Sequence, residues 1–296
     1  MAKRKPKLTR QKAEWVEGRD TYLVGEPLRL NPLYADRKAE EAEREVRKMH
    51  LDISKQVREL FKTEMAKETI QEIAMDASIT SAARVLTNQL KAKWGKRFNE
   101  FSKSFVGEIF DDITKITADD MDKSMQKMTG QTQIRASTLS PATKDIIKAG
   151  TVQATSLIKS ISGEYIGQVQ EALMRSITST QGSYTATMEA IDSMLQGRYK
   201  KYKNKAKNIT LDQTKKAYSS ISESRMKSVG LVEYRWRHAG GSQEPREYHK
   251  HTLNGQVFRL DDPPIIDPKT GQRGHPGDAI NCNCYKVPVF RFQEKR

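Results

Sequence analysis

Apolar residues recur every three or four positions over most of this chain, between charged residues on the opposite side of the pattern. A clear example is the stripe made by Val46, Met49, Ile53, Val57 and Leu60. This period is typical of helices that bury one face. The sequence therefore predicts a long helical region over residues 34–230, whose stripes must pack on partner helices.

A different pattern follows Gly230, which is suitably placed as the left-handed residue that ends a helix. Val232, Tyr234 and Trp236 alternate with polar residues, as they would in a strand. Residues 257–260 and 285–292 are further strand candidates. The predicted fold is mainly α, with a long helical N-terminal region followed by a small α+β C-terminal domain over residues 231–296.

Three features inside the helical region need an interpretation. The acidic residues Asp111, Asp112, Asp119, Asp120 and Asp122 indicate a helix end, a loop and the cap of the next helix, rather than a metal site. Glycine disfavours helix interiors, so Gly150 and Gly163 are expected to interrupt a later helix. His50 lies on the apolar stripe and is read as a core or boundary residue rather than a ligand.

The formal net charge of +15 and the pI near 9.6 favour a polyanionic partner, with nucleic acid as the first candidate. No apolar run is long enough to span a bilayer, and the basic N-terminus is not followed by a hydrophobic signal segment. We therefore expect a protein that is made in the cytoplasm and stays soluble. Two cysteines give no sign of an oxidising compartment.

Positive charge is concentrated in two runs. The first, within a predicted flexible arm over residues 1–33, includes Lys3, Arg4, Lys5 and Lys7. The second contains two interleaved tyrosines and the residues Arg198, Lys200, Lys201, Lys203, Lys205 and Lys207. Each run is either solvated or a contact surface for DNA or an acidic protein. Tyrosines between lysines suit stacking on bases as well as phosphate contact.

Candidate chemistry is concentrated between Trp236 and Cys284. Cys282 and Cys284 are two residues apart, so in an extended segment both side chains leave one face, and the same holds for His249 and His251. His275 lies in the loop that leads to the cysteines. Thiolates and imidazoles are typical zinc ligands, so the set is either a zinc site or a packed thiol cluster. A disulfide within the pair would be strained and is not expected.

Two more side chains near this cluster have open interpretations. Arg246 either forms a fork for a phosphate or pairs with a carboxylate such as Asp278. His238 is expected to lie on the surface.

The order of motifs is informative: Trp236, Arg246 with His249 three residues on, Leu253-Asn254-Gly255, Pro276-Gly277 and Asn281-Cys282-Asn283-Cys284. It resembles the C-terminal signature of the phage Mu F-like minor head proteins. Asn283 stands where this family often has arginine, and His251 is additional. Trp236, Arg246, Gly255, Pro276 and Gly277 are then structural motif residues.

The resemblance implies a low-copy component of the virion, inside the capsid and bound to the portal protein. It implies action in head assembly, genome packaging or early DNA ejection. Expected partners are the portal protein, the scaffold, the major capsid protein and double-stranded DNA, which basic residues contact without reading bases.

An enzyme is the competing hypothesis. His249, His275, Cys282 and Cys284 would hold a catalytic zinc with one open position, and Arg246 would steer a phosphate ester. Apart from Glu244 and Glu247, no carboxylate stands in a recognised relation to the histidines as a general base, so the interpretation leans away from an enzyme. A closed set of four ligands would make a zinc structural. A third hypothesis is an assembly adaptor without nucleic-acid contact.

Overall fold

The computed structural model describes residues 13–17, 20–71, 79–130, 139–179, 184–240 and 246–292. Within them, helices dominate: α1 is Pro32–Gln71, α2 Ile79–Thr129, α3 Pro141–Ser179 and α4 Tyr184–Ser228. Strands are confined to short segments near the two ends of the chain. The predicted class, mainly α with a C-terminal α+β region, is confirmed.

The strands are β1 (Ala13–Glu17), β2 (Asp20–Val24), β3 (Glu233–Arg237), β4 (Val257–Arg259), β5 (Ile265–Asp267), β6 (Gln272–Arg273) and β7 (Tyr285–Phe292), and a π-helix covers Tyr248–Leu253. Five strands form an antiparallel sheet in the order β1-β2-β7-β3-β4, and β5 pairs with β6. The long central strand β7 pairs with β2 on one side and β3 on the other.

The chain divides into two compact units, each assembled from separate stretches. The first consists of Met1–Ala35, Ile109–Gly150 and Asp212–Arg296, and the second of Asp36–Glu108 and Thr151–Leu211. The sequence predicts contiguous domains with a boundary at residue 230, whereas each of these units combines separate stretches of the chain. All four long helices contribute residues to both units.

The second unit buries the apolar stripes that the sequence predicts. Val46, Ile53 and Val57 of α1 are fully buried, together with Trp94 and Phe98 of α2. His50 lies in this core as expected, stacked on Tyr165 with ring centroids 4.1 Å apart.

In the first unit, the last part of α4 packs on the last part of α2 through polar contacts. The hydroxyl of Tyr218 donates to Asp120 Oδ2 at 2.6 Å. Arg225 donates to Thr117 Oγ1 at 3.1 Å and to the carbonyl of Thr114 at 2.9 Å. These acceptors hold a guanidinium that is 2% exposed.

The predicted breaks within the helical region are wrong. Helix α2 continues through Asp111–Asp122, and Thr117 donates to the carbonyl of Ile113 in mid-helix instead of capping a new helix. Helix α3 likewise continues through Gly150 and Gly163. A Cβ at Gly150 would lie 2.8 Å from the ring of Phe110, so a missing side chain permits close packing there.

The predicted flexible arm over residues 1–33 also needs correction. Residues 13–17 and 20–24 form β1 and β2, and β2 pairs with β7 from Thr21↔Phe292 to Val24↔Val289. Leu28 then bridges to Lys286. Lys3, Arg4, Lys5 and Lys7 lie outside the described residues.

Candidate metal centre

Three ligand atoms converge in the first unit. His249 Nδ1 lies 3.6 Å from Cys282 Sγ and 3.7 Å from Cys284 Sγ. His249 comes from the π-helix, and the two cysteines come from the segment that leads into β7. All three side chains are buried, and their ligand atoms lie within 4.8 Å of one another.

The second nitrogen of His249 fixes the orientation of the ring. Nε2 lies 2.9 Å from the carbonyl oxygen of Ile266, which accepts hydrogen bonds only. Nε2 therefore carries the proton, and the lone pair of Nδ1 points towards the two sulfurs. A backbone carbonyl that orients a histidine in this way is a common outer contact of metal sites.

The spacing of these atoms fits a metal ion. Bonds of about 2.3 Å to sulfur and about 2.0 Å to nitrogen, at tetrahedral angles, place the two ligand atoms about 3.5 Å apart. The observed separations are 3.6 and 3.7 Å. His249, Cys282 and Cys284 could therefore hold a metal ion.

A hydrogen bond between the two thiols shifts their pKa values in opposite directions. The hydrogen bond from Cys284 lowers the pKa of the Cys282 thiol. The same hydrogen bond, together with burial, raises the pKa of the Cys284 thiol. A single thiolate is thus readily formed, and the second proton leaves only when a cation compensates the charge.

His275 does not join this group. Its Nδ1 lies 2.9 Å from Tyr234 Oη and its Nε2 3.5 Å from Glu223 Oε2, while its backbone N–H donates to Asp278. Burial lowers the pKa of His275. These contacts tie the loop before the cysteines to β3 and α4, so its position is structural rather than ligating.

His251 also lies apart from the cluster, because the segment is helical instead of extended. Two residues span nearly half a turn of a helix, so His249 and His251 leave opposite sides. His249 is 1% exposed, whereas His251 is exposed and its Nε2 lies 2.8 Å from Glu247 Oε2.

The motif residues surround the cluster. Trp236 is fully buried, with its ring centroid 5.2 Å from that of His249. Arg246 donates to the carbonyl of Ile280 at 2.9 Å rather than to Asp278. Gly255 has a φ of +91°, and its N–H donates to the carbonyl of Trp236.

The Pro276-Gly277 turn rests on α4. The carbonyl of Pro276 accepts from Ser219 Oγ at 2.6 Å and from Lys286 Nζ at 3.3 Å. Gly277 has a φ of +97°, and a Cβ there would lie 2.9 Å from Ser219 Cβ. The sequence gives no signal for Ser219 or Lys286, because residues far apart in the chain meet there.

Residues 167–287 match a family model described as Phage Mu protein F like protein. This part of the chain, which is less than half of its length, is similar to the phage Mu F-like proteins. An uncharacterised protein of Haemophilus influenzae is 30% identical to the chain over 156 residues, which are 53% of this chain and 32% of that protein. The chain thus spans about a third of that relative's length. No solved structure is significantly similar to the chain.

The second basic run lies on α4. Tyr202 is fully buried and packs edge-on against Tyr165, with centroids 5.4 Å apart, so the prediction that it stacks on bases is wrong. Lys203 Nζ lies 2.7 Å from Glu43, and Lys205 pairs with Glu164.

Among the remaining basic residues of this run, Lys207 forms a longer ion pair than Lys203. Lys207 Nζ lies 3.9 Å from Glu43. Lys201 is exposed. The side chains of Arg198 and Lys200 lie outside the described part of the chain. Among the described residues, no helix combines the length and apolar character that crossing a bilayer requires.

Proposed function

We propose that this protein is a Mu F-like phage head morphogenesis protein, a virion component that lies inside the capsid, next to the portal protein. There it assists procapsid assembly and DNA packaging or ejection, and it binds double-stranded DNA without sequence preference. The observation that carries the proposal is the Mu F-like match over residues 167–287. The net charge of +15 supports the DNA contact, because basic side chains release counterions from phosphates.

The ion pairs of the second unit separate the basic residues into two groups. Lys203 and Lys205 have carboxylate partners on α1 and α3, so part of their charge is compensated within the fold. Lys201 is exposed. DNA contact therefore involves Lys201 and the run Lys3, Arg4, Lys5 and Lys7 more than the paired lysines.

DNA binding is tested by fluorescence anisotropy with two unrelated duplexes over a range of salt concentrations. We expect equal affinity for both, falling steeply with salt, by a log–log slope of about 0.9 per phosphate contacted. Lys201→Gln should lower that slope, whereas Lys203→Gln should leave it nearly unchanged. A response that is flat in salt would remove DNA from the proposal.

The portal contact needs a separate experiment. Purified portal protein should retain the full chain after DNase treatment, and cryo-EM of particles with and without the protein should show a density difference at the portal vertex. Retention that disappears with DNase would make DNA the link between the two proteins. A difference density elsewhere in the particle would contradict the location.

For the cysteine and histidine cluster we propose a structural zinc. A catalytic zinc keeps one ligand position open to substrate, whereas His249 is 1% and Cys282 5% exposed. The alternative of a zinc-dependent enzyme that cleaves phosphate esters is therefore less well supported. A nuclease or phosphodiesterase activity that disappears in Cys282→Ala, with the fold retained, would favour that alternative.

A further inference from the structure

We propose that His238 is the fourth ligand of this metal site and closes it as a Cys2His2 centre. The inference rests on the structural zinc proposed above and names the residue that completes its shell. His238 Nδ1 lies 3.6 Å from Cys284 Sγ, the same separation as between His249 Nδ1 and Cys282 Sγ. His275, which the sequence favours for this role, is held by Tyr234 instead.

The pairing of β3 with β7 places His238 beside Cys284. The last paired residues of these antiparallel strands are Arg237 and Tyr285. His238 follows Arg237 and Cys284 precedes Tyr285, so these two residues are the next opposite positions beyond the end of the ladder. Side chains at such positions start about 5 Å apart.

The backbone of His238 is held in place, and its side chain is only partly buried. Its N–H donates to Asn254 Oδ1 at 3.0 Å, which ties it to the turn after the π-helix. The residue is only half-buried, unlike His249. The His238 nitrogen contacts Cys284 and lies outside the group within 4.8 Å that the other three ligand atoms form. A rotation of the ring is needed to bring it to the common centre.

The chemistry of the four residues suits zinc. Two thiolates and two neutral imidazoles are a common set for tetrahedral structural zinc. The ligands come from the end of β3, the π-helix and the segment before β7, so one ion would join three elements of the first unit. A closed shell leaves no position for a substrate, which assigns the ion a structural role.

The test uses the full chain, with metal content measured by mass spectrometry and affinity by competition with a chromophoric chelator. The parent should bind one zinc, and its cobalt(II) form should show the spectrum of a tetrahedral site with sulfur ligands. His238→Ala should weaken binding by at least about tenfold and change the cobalt spectrum. His238→Cys, which supplies another ligand, should restore affinity and strengthen the sulfur-to-cobalt charge-transfer band.

His251→Ala is the matched control, because His251 is exposed and should leave affinity and spectrum unchanged. Circular dichroism checks that each variant is folded. If His238→Ala binds zinc as tightly as the parent and with the same cobalt spectrum, the fourth ligand is not His238, although the structural zinc stands. If the parent binds no zinc, both the zinc and its fourth ligand are refuted, while the proposed role in the phage head is unaffected.

Discussion

Lys286 Nζ donates a 2.6 Å hydrogen bond to Ser219 Oγ, and both residues are almost completely buried. The pair joins the central strand β7 to helix α4. Burial lowers the pKa of Lys286, and the nearby carboxylate of Glu223 opposes this effect. A serine and lysine at this distance form the nucleophile and base of some hydrolases. Here both side chains also donate to the carbonyl of Pro276, and we expect the pair to stabilise the fold.

Removal of the Ser219 hydroxyl should destabilise the first unit. In Ser219→Ala, Lys286 loses its shortest hydrogen bond and Pro276 loses a donor, which costs about 1–3 kcal/mol. Urea denaturation measures the change. Ser220→Ala, one residue further along α4 and only half-buried, is the control and should change stability much less. If Ser219→Ala and Ser220→Ala change the free energy of unfolding equally, the hydrogen bonds of Ser219 contribute little to stability.

Gly277→Ala should destabilise the protein more than Gly255→Ala. Both glycines have a positive φ, so alanine at either position strains the backbone. Only the Cβ at position 277 would also clash with Ser219. We expect a difference of about 1–2 kcal/mol between the two variants in urea denaturation. If the two variants have similar free energies of unfolding, α4 moves away from the added Cβ with little loss of stability.

The buried His50 should make the second unit less stable in acid. Burial lowers its pKa to about 4, below its ordinary value of 6.5. As pH falls from 7 to 5, the unfolded chain takes up a proton that the folded chain does not, so about 2 kcal/mol of stability is lost. His50→Phe should remove this acid-dependent loss of stability. Amide hydrogen exchange of residues 46–57, measured at pH 7 and pH 5, checks it. His251→Phe, at an exposed position, should keep the loss.

Chelation of zinc should loosen the first unit locally. A structural metal contributes its binding free energy to folding, so its removal should raise hydrogen exchange in the π-helix and around Cys282. The core around Trp94 in the second unit should exchange as before, and it serves as the internal reference. Unchanged exchange at the π-helix would show that the ion does not stabilise this region.

Local periodicity predicted much of the fold. The α1 stripe, the strand character of residues 233–237 and the bounds of β7 all follow from spacing along the chain. The break predicted at Gly150 was wrong because tertiary packing outweighs the low helix propensity of glycine there, as its close approach to Phe110 shows. Gly163 has no such close neighbour, so packing against its position does not explain why the helix continues there. Helix propensity is a weak guide wherever a neighbouring side chain fills the space.

The site was predicted only in part, for geometric reasons. Cys282, Cys284 and His249 converge, but the assumption of an extended backbone at residues 249–251 put His251 on the wrong side. The proximity of His238 to Cys284 depends on the register between β3 and β7, which residue types alone do not give. The cluster around Lys286 likewise depends on pairing between distant segments.

The position of β7 affects the order in which the chain folds during synthesis. Among the described strands it is the last to leave the ribosome, yet it lies in the middle of the five-stranded sheet. Until it is synthesised, β2 and β3 lack their shared neighbour, and both cysteines that precede it are also late. Helices α1 to α3 are free to form during translation, whereas completion of the sheet waits for the final residues of β7.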